Sequence, residues 1–273
     1  MKWIRNFFFF IVENHLLLAA AAFLLTQSHG IGINILHVSV FNASATISFY
    51  QLHRIIRVKQ MHPTDIKKHL TPFNFVFMLA GLTTCAFIYY KAETSFRIIW
   101  ITLSIISLAY SIPLAKTKNK RHSLREFPYA KTFITASIWT LATSLPHLMD
   151  TAWDIHETTG IVSSFLFLLA LSMAFDIRDY DSDKQQQLIT VPVSMGIASS
   201  KRLMIASLFL SCILAYFHHQ NLLCIPHILA ATAASWIIRF SGPQKKEPYF
   251  SGLIDGTIIM YAVLMIIGKA IIK

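Results

Sequence analysis

Residues 160–184 read GIVSSFLFLLALSMAFDIRDYDSDK, a long apolar run that ends in a group of acids. Asp176, Asp179 and Asp183 are spaced i, i+3 and i+7, so a continuous helix would place their carboxylates on one face. Asp181 would point elsewhere. Like charges at this spacing destabilise a helix by roughly a few tenths of a kcal/mol per pair. The segment therefore needs a source of positive charge to offset the repulsion.

Two sources of positive charge are consistent with this segment. Mg²⁺ prefers oxygen ligands and is commonly held by one or two carboxylates together with substrate phosphates. The three aspartates would then form a site for Mg²⁺ and a diphosphate. Alternatively, Arg178 and Lys184 pair with the acids, and the segment is an ordinary charged helix end.

The composition indicates a membrane protein. The 273 residues are 55% hydrophobic and 14% charged, and the mean hydropathy is +0.54. Soluble domains usually carry about 25% charged residues, so lipid must face much of the surface. The formal net charge of +11 is spread over several short loops, which argues against nucleic-acid binding. Cys85, Cys212 and Cys224 lie inside apolar runs without metal-ligand spacing, as expected of buried thiols.

Apolar runs recur along the whole chain, and about 20 apolar residues suffice to cross a bilayer. We therefore predict an all-α fold with nine transmembrane helices in one domain, residues 1–273. The predicted spans are 7–27, 33–52, 72–90, 96–114, 128–146, 160–177, 203–218, 222–239 and 251–270.

The basic residues divide unevenly between the two sides of this topology. If the N-terminus is cytoplasmic, 20 of the 24 Lys and Arg residues lie on the cytoplasmic side. The positive-inside rule then predicts a multi-pass protein of the cell membrane, plasma or inner, with its C-terminus outside. The aspartates would lie at the cytoplasmic end of span six.

The aspartate segment resembles the second aspartate-rich motif of the UbiA superfamily of intramembrane prenyltransferases. That motif runs Asp-x-x-Asp-x-x-x-Asp and continues with a basic residue, which is Lys184 here. Thr190-Val191-Pro192-Val193 and Gly196 match the stretch that follows it, and Tyr110–Lys116 resembles the family's loop after span four. The resemblance implies a nine-helix bundle with its acidic motifs on the cytoplasmic side.

The first motif of that family is altered in this chain. It has the form Asn-Asp-x-x-Asp-x-x-x-Asp-Arg at the end of span two. If Arg54 matches its arginine, the three acids are replaced by Thr46, Phe49 and His53. One of the two metal sites that the resemblance implies would then lack ligands, and cationic side chains would have to meet the charge of a diphosphate.

The resemblance implies transfer of an isoprenyl group from its diphosphate to a lipophilic acceptor, such as an aromatic compound, within the bilayer. Asp176, Asp179 and Asp183 would be the catalytic residues and would hold Mg²⁺. The candidate substrate-binding residues are Arg54, Lys116, Arg178, Tyr110, His53 and Asn42.

Two further readings remain open at this point. The chain could be a catalytically degenerate member that binds a polyprenyl lipid, or a terpene cyclase that uses the same diphosphate without an acceptor.

Several other polar residues fall within the predicted spans. Asn42, Thr46, Tyr50 and His53 form one face of span two, either as the wall of a substrate cavity or as ordinary interhelical hydrogen-bonding groups. Ionisable residues at membrane depth are candidates for function, and Glu13 and Asp255 are two of these. His218 and His219 are expected to be interfacial. Glu13 lies in predicted span one, Asp255 near the start of span nine, and the two histidines at the outer end of span seven.

Overall fold

The computed structural model describes residues 2–29, 33–61, 70–112, 115–117, 120–148, 154–219 and 222–272. The described chain is helical apart from one short antiparallel hairpin. The helices are α1 (Lys2–Glu13), α2 (Leu16–His29), α3 (Ile33–Met61), α4 (Pro72–Lys91), α5 (Thr94–Ser111), α6 (Ala130–Leu148), α7 (Ile155–Arg178), α8 (Tyr180–Gln185), α9 (Val191–Met195), α10 (Ile197–His219), α11 (Cys224–Arg239) and α12 (Asp255–Ile272). A 3₁₀ turn (Leu124–Glu126) and a π-helical turn (Tyr249–Ile254) precede α6 and α12. Strands β1 (Ala115–Thr117) and β2 (Lys120–His122) form the hairpin.

The first predicted span is two helices. α1 ends at Glu13, and His15 has a φ of 58°, a left-handed conformation that stops an α-helix. The buried Asn14 amide donates to the Phe10 carbonyl at 2.9 Å and so satisfies part of the broken turn. The polar residues Glu13, Asn14 and His15, which interrupt the first apolar run of the sequence, therefore lie at a break in the helix.

Each of the other predicted spans overlaps one long helix, although several bounds differ and residues 113–114 of the fourth span lie outside the described residues. Span two was predicted to end at residue 52, whereas α3 continues to Met61. Five segments are long and apolar enough to cross a membrane: α4, α5, α7, α10 and 249–271. The shorter α2 and α11 are also apolar. The count of nine crossings and the orientation of the termini stay predictions.

Helix α7 lies at the centre of the bundle. Ala170, Ala174 and Ile177 are fully buried, and Phe167 is 1% exposed. A helix that is apolar all round is stable when other helices cover it, and α6 and α10 pack extensively on α7. Around it the contacts run from α2 to α3, from α10 to α11, and from α12 back to α2. This arrangement carries the end of α7, with its aspartates, to one end of the bundle.

Candidate active site at the aspartate cluster

The sequence predicts that the three aspartates lie on one continuous helix, and this prediction is wrong. Helix α7 ends at Arg178, Asp179 forms the junction, and α8 starts at Tyr180. The chain nevertheless keeps a nearly helical path, because the Asp183 amide donates to the Asp179 carbonyl at 2.8 Å. Asp176, Asp179 and Asp183 therefore still face the same side, while Asp181 is exposed. We refer to these three residues as the aspartate cluster.

The aspartate cluster surrounds one ammonium group, that of Lys131 in the first turn of α6. Lys131 Nζ lies 3.2 Å from Asp176 Oδ1, 2.9 Å from Asp179 Oδ2 and 2.9 Å from Asp183 Oδ2. The side chains of Asp176 and Asp183 are each 2% exposed, and that of Lys131 is 13% exposed. The positive charge that the aspartates require is thus supplied by a residue far away in the sequence.

Donors of the chain contact every carboxylate oxygen of the cluster. Asp176 Oδ2 accepts a short hydrogen bond from Thr132 Oγ1, next to Lys131 on α6. Asp179 Oδ1 accepts from Arg178 Nε at 2.8 Å, and both oxygens of Asp183 accept from Lys131. Together with the Lys131 contacts to Asp176 and Asp179, these bonds account for all six oxygens. Every carboxylate oxygen of the cluster therefore has a donor within the fold.

The charges of Lys131 and Asp176 each destabilise the helix on which they lie. A cation at a helix N-terminus and an anion at a C-terminus both oppose the helix dipole, and Lys131 and Asp176 occupy those positions. The pairing between α6 and α7 offsets both penalties. The start of α6 is fixed at Tyr129, whose φ is 61° and whose amide donates to the Ile189 carbonyl at 2.8 Å. This contact ties the start of α6 to the segment that follows the aspartate cluster.

The charges around the cluster affect the pKa values of its outer members. Burial disfavours ionisation of Asp179, but the charges of Arg178 and Lys131 outweigh burial and hold the pKa of that carboxyl below its usual range. For Asp183, burial outweighs the attraction of Lys131 and raises the pKa. Asp179 is therefore the firmly ionised member that anchors both cations.

Arg178, a predicted diphosphate ligand, is engaged by acids of the protein. Besides Asp179, it contacts Glu247, with Nη1 2.8 Å from Oε1 and 3.0 Å from Oε2. Its guanidinium also lies over the Phe175 ring, 5.0 Å from the centroid. The prediction that Arg178 pairs with the acids agrees with this geometry, whereas Lys184 is exposed. Glu247 was not among the sequence-based candidates.

Two conformational features of the segment after the cluster agree with its motif. The Leu188 amide donates to the Asp183 carbonyl at 2.9 Å, and Pro192 lies in the first turn of α9, where its missing N–H costs nothing. Gly196 has φ +81° and ψ 157°, a region that is essentially open to glycine alone. The Thr-Val-Pro-Val stretch and Gly196 thus have clear backbone roles.

A mainly apolar cavity of about 100 Å³ lies among α2, α3, α5 and α6. The predicted polar face of span two contributes to its wall, together with aromatic residues of α5 and α6. Its lining includes Asn42, Thr46, Tyr50, His53, Trp100 and Trp139. Trp139 lies eight positions after Lys131, which corresponds to about 12 Å along a helix. The cavity and the aspartate cluster are therefore connected through α6.

Two of the predicted substrate-binding residues in this wall also have structural partners. The Asn42 amide nitrogen donates to Thr26 Oγ1 at 3.0 Å and to the Ala142 carbonyl at 2.7 Å. His53 Nε2 lies 3.1 Å from the Ser107 carbonyl, and its ring centroid is 5.9 Å from that of Tyr110. These contacts connect α3 with α2, α5 and α6.

The altered first-motif segment contains a neutral hydrogen-bond network. Gln51 is fully buried and donates to the Asn14 carbonyl at 3.1 Å, while it accepts from Asn74 at 2.8 Å. Asn74 Oδ1 in turn accepts from the Thr71 amide at 2.7 Å, at the start of α4. Arg54 follows on α3 and is partly exposed. This segment of α3 thus contributes a neutral amide, and no carboxylate stands at Thr46, Phe49 or His53, the positions matched to the acids of the family's first motif.

Five other residues singled out from the sequence are placed as follows. Lys116 lies on β1, but its side chain is outside the described part of the structure, as is that of Glu13. Asp255 is 3% exposed at the start of α12. His218 and His219 line a second cavity of about 110 Å³ at the opposite end of α7, together with His227 and Lys269.

The aspartate cluster does not accommodate Mg²⁺ in this arrangement. Carboxylates are the ligands that Mg²⁺ prefers, but it binds oxygens at about 2.0–2.1 Å, and the point that these carboxylates surround is occupied by Lys131 Nζ. Among the described residues, no group of three or more His, Cys, Asp or Glu side chains could hold a metal ion. The predicted Mg²⁺ site would require the Lys131 side chain to leave.

Sequence reasoning missed Lys131, Thr132, Gln51 and Asn74. Lys131 had been counted among the cytoplasmic charges that orient the protein. A signal was nevertheless present, because Lys131 lies inside the predicted span 128–146, and an ionisable residue within a span is a candidate for function. Its distance in sequence from Asp176 hid the pairing.

Comparisons with known proteins bear on the fold. No protein-family model matches the sequence, and no curated protein matches it. Among solved structures, a UbiA homologue from Archaeoglobus fulgidus bound to GPP and Mg²⁺ aligns with a TM-score of 0.65 and 14% identity, covering 94% of this chain and 98% of that one. The apo UbiA homologue from Aeropyrum pernix K1 aligns with a TM-score of 0.60 and 13% identity over 96% of each chain.

A third structure, described as giving insight into the biosynthesis of digeranylgeranylglyceryl phosphate synthase in membranes, aligns with a TM-score of 0.59 and 13% identity. It covers 98% of this chain and 99% of that one. At such low sequence identity, these structural similarities show the fold alone. They confirm the bundle that the motif at residues 176–196 predicted: the chain has the fold of the UbiA homologues.

Proposed function

We propose that this chain is a multi-pass membrane protein that binds an isoprenyl diphosphate and transfers the isoprenyl group to a lipophilic acceptor. The observation that carries the proposal is the convergence of Asp176, Asp179 and Asp183 at one end of a UbiA-type bundle, where they pair with α6, a helix that also lines an apolar cavity. The Archaeoglobus fulgidus homologue of this fold has been seen with GPP and with DMAPP, each with Mg²⁺. The whole chain, 1–273, would act as one domain with a cytoplasmic N-terminus.

The proposed binding mode uses the two parts of the site differently. The isoprenyl tail lies in the cavity, where Tyr50, Trp100 and Trp139 offer apolar and aromatic surface. The diphosphate lies towards the end of the bundle that carries the aspartate cluster, where Arg54 and Lys116 are the candidate ligands. Arg178 would contribute only if it exchanged a carboxylate partner for a phosphate, since Asp179 and Glu247 hold it in this structure.

The proposed reaction is substitution at the first carbon of the isoprenyl chain. The carbon–oxygen bond to the diphosphate breaks, and pyrophosphate leaves with the electron pair. The allylic cation then forms a bond with a nucleophilic atom of the acceptor, which releases a proton. Aromatic faces near the cavity favour a cation electrostatically, and the dry apolar wall limits capture of the cation by water.

The test is pyrophosphate release by the purified full-length protein with a panel of C10 to C20 isoprenyl diphosphates and lipophilic acceptors, with and without added Mg²⁺. We expect release by the wild type and at least a tenfold loss in Asp179→Asn. Asp181→Asn is the matched control, because Asp181 belongs to the same segment but is exposed. Equal rates in the wild type and Asp179→Asn with every donor would contradict the proposal.

A second candidate is a catalytically degenerate protein that binds a polyprenyl lipid without turnover. The neutral network around Gln51 and Asn74 favours it, because the carboxylates of the first motif are absent there. Saturable retention of a labelled isoprenyl diphosphate that stays intact after long incubation would support this candidate over the enzyme. Release of pyrophosphate together with a cyclic hydrocarbon, in the absence of acceptor, would instead indicate a terpene cyclase.

A further inference from the structure

The position of Lys131 bears on how the aspartate cluster is neutralised. We propose that Lys131 is the resident cation of the cluster, and that its ammonium group keeps the three carboxylates closed to divalent metal ions. Removing its charge should open a divalent-cation site at the same carboxylates. This inference does not rest on the proposed function, because it concerns the occupancy of the cluster rather than any turnover.

The first argument is the match between donors and acceptors. A lysine ammonium has three N–H groups and no acceptor, and three carboxylates surround this one. The two N···O distances of 2.9 Å, to Asp179 and Asp183, are those of charge-assisted hydrogen bonds, and Asp176 Oδ1 forms an ion pair with the ammonium at 3.2 Å. A Mg²⁺ ion at the same point would need its oxygens about 1 Å closer, because its ligands lie at about 2.0–2.1 Å.

The second argument is that the remaining oxygens are committed as well. Thr132 donates to Asp176, and Arg178 donates to Asp179. A metal ion entering beside Lys131 would therefore have to break hydrogen bonds to charged groups. Such bonds are among the stronger ones in proteins, and their donors would be left in a buried setting.

The third argument is that hydrogen bonds fix the backbone at and just before Lys131. Its backbone carbonyl accepts from Thr135 Oγ1 at 2.8 Å, and the residue two positions before it is fixed to Ile189 through the Tyr129 amide. Its side chain is largely buried, unlike that of Lys184, which follows Asp183 and is exposed. Lys131 is thus built into the packing of α6 on α7.

The test is a titration of the full-length protein in detergent with Mn²⁺ as the probe, followed by electron paramagnetic resonance of the free ion. We expect the wild type to bind no more Mn²⁺ than Asp179→Asn does, since Lys131 occupies the cluster. Lys131→Met should gain one Mn²⁺ per chain, and the double variant Lys131→Met/Asp179→Asn should lose it. Lys131→Arg, which keeps the charge, should bind no more than the wild type.

Two results would overturn the proposal. One is a wild-type chain that binds one Mn²⁺ more than Asp179→Asn, with Asp181→Asn unchanged. The other is a folded Lys131→Met chain that gains no Mn²⁺. If Lys131→Met does not fold, the comparison of the wild type with Asp179→Asn and Asp181→Asn decides the matter without it.

Discussion

The segment around Gln51 on α3 and the segment 176–183 at the end of α7 are the two places where the resembling family carries acidic motifs. In this chain they use different chemistry. The α3 segment is neutral, and amide side chains connect it to Asn14 and Asn74. The second segment keeps three aspartates and pairs them with Lys131 and Arg178.

This difference shows two ways in which the fold satisfies buried polar groups. Amides supply both donors and acceptors, so Gln51 and Asn74 satisfy each other without a charge. Carboxylates accept only, so the aspartates require cations, and the fold supplies these from α6 and from the end of α7 itself. In both regions the buried polar groups have partners. The two regions differ in how much of the free energy of unfolding depends on a single side chain.

The largest effect is expected from Lys131→Met. Removing the ammonium leaves the buried carboxylates of Asp176 and Asp183 without their shared cation, and breaking a buried ion pair from one side costs about 3–5 kcal/mol. We expect the free energy of unfolding in detergent micelles to fall by about that amount. Lys184→Met is the control and should change it by less than about 0.5 kcal/mol, because that lysine is exposed. Equal effects of the two substitutions would contradict the role of Lys131.

A smaller loss is expected from Thr132→Val, which keeps the shape of the side chain. It removes the hydroxyl that donates to Asp176, and hydrogen bonds to charged groups contribute about 1.5–3 kcal/mol. Thr140→Val provides the comparison, since the buried Thr140 hydroxyl donates to the Ala136 carbonyl of its own helix, away from the cluster. Denaturant titrations of both variants measure the difference, and a Thr140 variant as unstable as the Thr132 variant would count against the Asp176 contact.

Gln51→Leu tests the neutral region in the same way. The substitution leaves the Asn74 amide nitrogen buried without its acceptor, which costs about 1–3 kcal/mol. The effect should be below that of Lys131→Met, because no charge is stranded. Gln185→Leu, on an exposed position of α8, should have little effect on unfolding. A greater loss from Gln51→Leu than from Lys131→Met would reverse the contrast between the two regions.

The sequence predicted the fold better than it predicted the site. Apolar runs and the motif at 176–196 led to the helical bundle, because lipid-facing helices leave a strong signal in composition. The aspartates were also found, since their spacing is local. Lys131 was missed because pairing between α6 and α7 depends on tertiary packing, and a basic residue near a span end resembles those that orient the chain.

The same limit applies to the shape of the helices. The prediction of one continuous span over 7–27 misses the break at Asn14 and His15, and the prediction of one continuous helix through the aspartates misses the junction at Asp179. An aspartate within a run of acids carries no signal that a helix stops there. The partners on α6 show why the carboxylates stay together across that junction.

The most direct test of the paired cluster is a double-mutant cycle on Lys131→Met and Asp179→Asn, followed by unfolding in detergent micelles. Residues in direct contact in a charged network show coupling energies of about 0.5–3 kcal/mol. We predict coupling in the upper half of that range, because once Lys131 is replaced the loss of Asp179 relieves repulsion among the remaining acids. Additive effects of the two substitutions, within about 0.3 kcal/mol, would contradict the assignment of Lys131 as the cation of the cluster.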